Sequence, residues 1–172
     1  MNILIVWHSG IVPNFFRRIQ ALAEINGNKV TYLAPHKYYD TGLWYSSNDI
    51  TSKKVNIVQG RILFPGKLVW HFYVSGFLKV FYKKKYDIIE IFEEPYSICA
   101  FQITLLKIIF SNNSKILINS AQNIPINIKS IPFLVLSKIF KTSHSYAEHS
   151  AKDRLPFILN YINKLTLSRS SG

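Results

Sequence analysis

Two adjacent carboxylates, Glu93 and Glu94, stand directly before Pro95 and directly after the apolar run 87–92. A carboxylate in that place can orient a substrate hydroxyl or, where burial raises its pKa, act as a general base. Neighbouring residues point in different directions, so at most one of the two faces a cleft. The structural alternative is capping of the helix expected after Pro95, and both readings stand at this point. His8, Ser9 and Gly10 follow another apolar run, 2–6, with Asn14 just beyond. Gly10 permits a backbone turn, and the helix start after it offers amides and a positive dipole to an anion. A plain strand-to-helix turn, with His8 as a structural hydrogen-bonding residue, accounts for the same residues. Gln122 and Asn123 form a third polar pair, after the run 115–119.

Several chemistries lack their signatures. The dinucleotide fingerprint G-x-G-x-x-G and the phosphate-binding P-loop are absent, as is the G-x-S-x-G nucleophile elbow. No pair among His8, His71, His144 and His149 has metal-ligand spacing, so no metal or cofactor is expected and no catalytic residue is assigned. The single cysteine, Cys99, lies in an apolar run. It reads as a small buried hydrophobe, and one cysteine excludes an internal disulfide.

The elements that must position these residues follow from the apolar pattern. Asn2 to Val6 lacks polar alternation, as a strand buried on both faces does. Pro13 suits the first turn of a helix running to about Asn26, with Phe15, Phe16, Ile19, Leu22, Ala23 and Ile25 on one face. Gly27 ends it, and Asn28 to Ala34 is a second strand, which makes a βαβ unit with a parallel pair. Residues 35–54 read as a long polar and aromatic loop, and Val55 to Gln59 as a third strand. A helix is expected over Lys67 to Lys85, a strand over Asp87 to Phe92, a helix over Tyr96 to Phe110 and a strand over Lys115 to Asn119. Pro132 to Lys141 reads as a helix, and 144–150 lies where a sixth strand would fall. Strand and helix alternate, so the fold class is α/β: a Rossmann-like, doubly wound parallel sheet in one domain, 1–150, with a weakly helical tail, 151–172. Ligands of such sheets bind beyond the carboxyl ends of the strands, which points to the loops 7–14, 92–97 and 119–127.

Twenty-one Lys and Arg against nine Asp and Glu give a formal net charge of +12. That excess suits an anionic partner. Lys79, Lys83, Lys84 and Lys85 share the segment 67–85 with Trp70 and Phe77, so this helix either contacts an anionic membrane surface or is a core helix with a solvated basic end. Nucleic acid fits least, because no recognition motif is present and the basic residues are spread along the chain. The longest apolar stretch, 98–110, falls short of the roughly 20 residues that span a bilayer. A cytoplasmic chain, in solution or at the inner face of the membrane, is expected.

The order of these pieces resembles the N-terminal domain of GT-B glycosyltransferases of the family-4 type. The resemblance rests on Asn2 to Val6, the Phe-rich helix, Asp87-Ile88-Ile89-Glu90-Ile91-Phe92-Glu93-Glu94-Pro95-Tyr96-Ser97, and Lys115 to Asn123, and it covers about residues 1–145. It implies the acceptor-binding half of an enzyme that moves a sugar from a nucleotide-sugar donor to a lipid-linked or polysaccharide acceptor. His8, Ser9, Gly10, Asn14, Glu93, Glu94, Gln122 and Asn123 would face the cleft. The family's Gly-Gly pair in the first loop and its two glutamates eight positions apart are absent. Only residues 151–172 follow the sixth-strand region, so the donor half is expected in trans, as in a split enzyme or a truncated gene product.

Overall fold

The computed structural model describes residues 1–82 and 84–119. Chain order is β1 (Asn2–Val6), a 3-10 turn (His8–Ile11), α1 (Pro13–Glu24), β2 (Lys29–Pro35), β3 (Lys37–Asp40), β4 (Leu43–Ser46) and a second 3-10 turn (Ser47–Asp49). Then come β5 (Val55–Gly60), β6 (Ile62–Leu63), β7 (Phe72–Tyr73), α2 (Phe77–Phe81), β8 (Ile88–Ile91), α3 (Ile98–Phe110) and β9 (Lys115–Ile118).

Five strands form one sheet in the order β5-β2-β1-β8-β9, and every neighbouring pair is parallel. The chain winds from β1 outward to β5, then returns to the other side of β1 to lay down β8 and β9. The α/β, Rossmann-like reading therefore holds. Side chains of β1 alternate between the two faces, as the period of a strand requires. Ile3 and Ile5 pack with Phe16, Ile19 and Ala23 of α1, while Leu4 and Val6 pack with Val80 and Phe81 of α2 and with Cys99, Ala100 and Ile103 of α3. Both faces are covered, which is why residues 3–6 are apolar without a break. Each such side chain contributes about 1.5–3 kcal/mol by leaving water. Cys99 is a buried member of this core, as its apolar setting suggests.

Two expectations are corrected. Residues 35–54 are not one long loop: β3 and β4 pair antiparallel, with Tyr38 opposite Tyr45 and Tyr39 opposite Trp44. Thr41 and Gly42 close the hairpin with positive φ angles of 47° and 88°. A two-residue turn with both centres in the left-handed region matches the twist of the flanking strands. The aromatic pairs supply the strand-forming side chains.

Nor is 67–85 one helix. Lys67 to His71 makes turns, Phe72 and Tyr73 pair with β6, and among the described residues of the segment only Phe77–Phe81 is α-helical. Gly76 breaks the run, since its φ is 83° and a Cβ there would stand 2.6 Å from the Gln59 carbonyl oxygen. Tyr73 is drawn into the core, where its hydroxyl donates to the Leu33 carbonyl. Its backbone exchanges two hydrogen bonds with the Gln102 side chain. The remaining strand and helix expectations within 1–119 hold to within a few residues at their ends. The expected helix 132–141, the region 144–150, the tail 151–172, and with them the proposed domain division lie outside the described residues. Among the described residues no helix is long and apolar enough to cross a membrane.

Candidate functional site

The winding reverses between β1 and β8. At such a switch point the loops leaving two adjacent strands turn to opposite faces and open a crevice. His8 leaves β1 there and Glu93 leaves β8. The pairing continues past the strand ends, because the Phe92 amide donates to the Val6 carbonyl. Trp7 stacks on Phe15 at 5.2 Å and on Phe92 at 4.4 Å, which holds the two loops side by side.

Glu93 lies at the centre, 2% exposed. Its Oε1 stands 2.6 Å from His8 Nδ1, 3.3 Å from the His8 amide and 3.3 Å from His71 Nε2. His71 is 0% and His8 7% exposed. The second carboxylate oxygen, Oε2, is buried without a hydrogen-bond partner. Tyr38 of β3 covers the group, with its ring 4.5 Å from that of His8 and 5.4 Å from that of His71. Burial alone would raise the Glu93 pKa, but the charge of His8 and the hydrogen bonds from His71 and His8 outweigh it and hold the carboxyl below its ordinary range. Burial alone would lower the His71 pKa. The hydrogen bond and charge of Glu93, with the Lys67 and Leu68 backbone, instead raise it above the usual imidazole value.

Around this core the other sequence-derived candidates take separate places. Ser9 Oγ donates to Asp40 Oδ2 at 2.7 Å, tying the first loop to the β3–β4 hairpin. Gly10 is buried against Tyr32, whose hydroxyl would lie 2.6 Å from any Cβ added there and donates to the Trp7 carbonyl. The glycine thus makes room for a tyrosine, and its own amide is spent on the Trp7 carbonyl. Asn14 is exposed on the first turn of α1. Glu94 is buried, and its carbonyl accepts from the Ser97 amide. Ser97, not a glutamate, caps α3: its Oγ accepts from the Ala100 amide at 3.1 Å. Of the two carboxylates it is Glu93 that enters the cluster. Gln122, Asn123 and Lys83 lie outside the described residues.

Sequence reading missed His71, Tyr38 and Asp40. Glu93 is separated by 85 positions from His8 and by 22 from His71, so no local spacing links them. The donor atoms of His8, His71 and Glu93 all lie within 4.8 Å of one another, a set able to hold a metal ion.

A second feature lies on the segment after β6. Trp70 is 63% exposed, and Phe64, Leu78 and Tyr82 are also exposed. Phe64 and Trp70 line a shallow pocket with Lys67, and Lys79 and Lys85 are exposed nearby in sequence, with Lys84 half-buried. Phe77 instead packs against the core below α2, so it does not belong with the surface group.

Sheet order and crevice define a Rossmann-like α/β protein with a buried histidine–glutamate cluster at its switch point. Comparisons with family models, curated proteins and solved structures find no match to this chain.

Proposed function

We propose that this chain is the acceptor-side half of a glycosyltransferase made of two Rossmann-like halves. The observation that carries the reading is the meeting of the loops after β1 and β8, with the β3–β4 hairpin, at the switch point of a parallel sheet. His8, Ser9 and Asp40 offer polar groups there to orient a hydroxyl, and Glu93 fixes the His8 ring. In the reaction, the acceptor oxygen bonds to the anomeric carbon, the bond from that carbon to the nucleotide phosphate breaks, and the acceptor proton is released. The donor would be held by a second half facing this crevice. The net charge of +12 favours phosphate-bearing substrates and an anionic surface.

The purified chain is expected to bind an acceptor without transferring sugar. In NMR titrations with polyprenyl phosphates and oligosaccharides, shifts should centre on His8, Ser9 and Glu93. A panel of nucleotide sugars should give no product with the chain alone. Transfer by the chain alone would overturn the half-enzyme reading, and shifts confined to another face would overturn the acceptor site.

The exposed Trp70 and Phe64 beside Lys67 favour a second reading, a binding module seated on anionic membranes through this face. Each lysine near such a surface contributes about 1 kcal/mol. Replacing Lys79, Lys84 and Lys85 by Glu should therefore weaken co-sedimentation with phosphatidylserine vesicles by about a hundredfold or more. Equal binding of the wild-type chain to neutral vesicles would count against it.

A further inference from the structure

His71 is the informative member of the buried cluster. Its Nδ1 lies 3.2 Å from the Lys67 carbonyl oxygen and its Nε2 lies 3.3 Å from Glu93 Oε1. Both ring nitrogens therefore face acceptors. A neutral imidazole has one N–H. If that hydrogen goes to Lys67, the other nitrogen faces the carboxylate across a gap that either a second proton or a metal ion fills. Donation from Nδ1 to a backbone carbonyl is also how metal-ligating histidines are held in orientation. Glu93 adds an independent sign. Three nitrogens crowd Oε1 while Oε2 is buried with no hydrogen-bond partner. A buried carboxylate oxygen without a donor is costly unless positive charge approaches it.

We propose that His8 Nδ1, His71 Nε2 and the Glu93 carboxylate bind one divalent transition-metal ion of the zinc class. Two imidazoles and a carboxylate suit Zn²⁺ or Co²⁺, whereas Mg²⁺ and Ca²⁺ favour all-oxygen surroundings. With both histidines neutral the donor set carries one negative charge, so the loaded site carries one positive charge and attracts an anionic or polarisable oxygen ligand. Three protein donors leave a fourth place, where zinc sites of this composition take water or a substrate oxygen. His8 Nδ1 and Glu93 Oε1, now 2.6 Å apart, separate as the ion enters between them. The inference stands apart from the glycosyl-transfer reading, and neither needs the other.

The test is titration of the full chain with Zn²⁺ against a chromophoric chelator and with Co²⁺ followed by visible absorption. X-ray absorption spectroscopy of the zinc form then counts its ligands. One equivalent should bind, with two imidazole nitrogens, oxygen for the rest and no sulfur. Glu93→Gln and His71→Gln, each checked for folding by circular dichroism, should lower affinity by more than about a hundredfold. His36→Asn, at a histidine outside the cluster, should leave it unchanged. Failure to take up one equivalent means that a proton fills the gap between His71 and Glu93, and the proposal falls. It falls equally if folded cluster variants keep the ion, or if the spectrum shows sulfur or a single imidazole. Should both variants unfold, the ligand count in the wild-type chain decides by itself.

Discussion

Glu93→Leu is expected to destabilise the chain by about 3–5 kcal/mol, the range for removing one partner of a buried charged pair. Leucine fits the apolar surroundings, so lost volume is not the cause. The cost arises because His71 and His8 keep their polar atoms in a buried place while their shared acceptor disappears. Urea unfolding of the wild-type and variant chains measures the difference. Replacing His8 and His71 by Phe in the same chain should recover part of the loss, because the two ring nitrogens are then no longer orphaned and only the backbone amide of residue 8 lacks its acceptor. A Glu93→Leu chain within about 0.5 kcal/mol of wild type would show that the cluster is not held together by charge.

The second large effect is a loss of stability with rising pH that depends on Glu90. This residue sits in the middle of β8, buried, and its Oε1 accepts from Asn119 Nδ2 at 2.7 Å. Burial pushes its carboxyl from 4.5 up to about 7, against the smaller opposing effect of the Asn119 hydrogen bond. The folded chain therefore holds this proton more tightly than the unfolded chain does. Its contribution is complete below about pH 4.5 and is lost as pH rises through 7, a change of about 3 kcal/mol in all. Other groups titrate in the same range, so the quantity to read is the difference between wild type and Glu90→Gln. Glutamine keeps the acceptor for Asn119 and cannot ionise. The variant should match wild type below about pH 4.5 and exceed it above pH 7, and parallel pH profiles would rule the effect out.

Glu90 and Glu93 also show where sequence reading reaches its limit. The run 87–92 announces a buried strand, and burial of Ile88, Ile89 and Ile91 bears that out. Nothing in the run says that Glu90 points into the covered sheet while Glu93 turns into the crevice. The helix expected over 67–85 failed for a related reason. Its apolar residues satisfy a helical period, but the positive φ at Gly76 and the burial of Tyr73 beneath Gln102 are tertiary demands. The hairpin at Thr41-Gly42 was legible in principle, because a glycine in a two-residue turn between aromatic pairs is a local signal.

By itself, the sequence determined the alternation of strands and helices, the parallel sheet and the loops to watch. These are local properties: an unbroken apolar run is buried on both faces, and Pro and Gly mark where it ends. Only the tertiary structure decided which polar residues meet. His8, His71 and Glu93 come from distant segments, and they converge because β8 returns to the side of β1 opposite β2 and the turn at Lys67 carries His71 over their ends. Sheet order and crossing loops set that proximity, and no spacing along the chain encodes it.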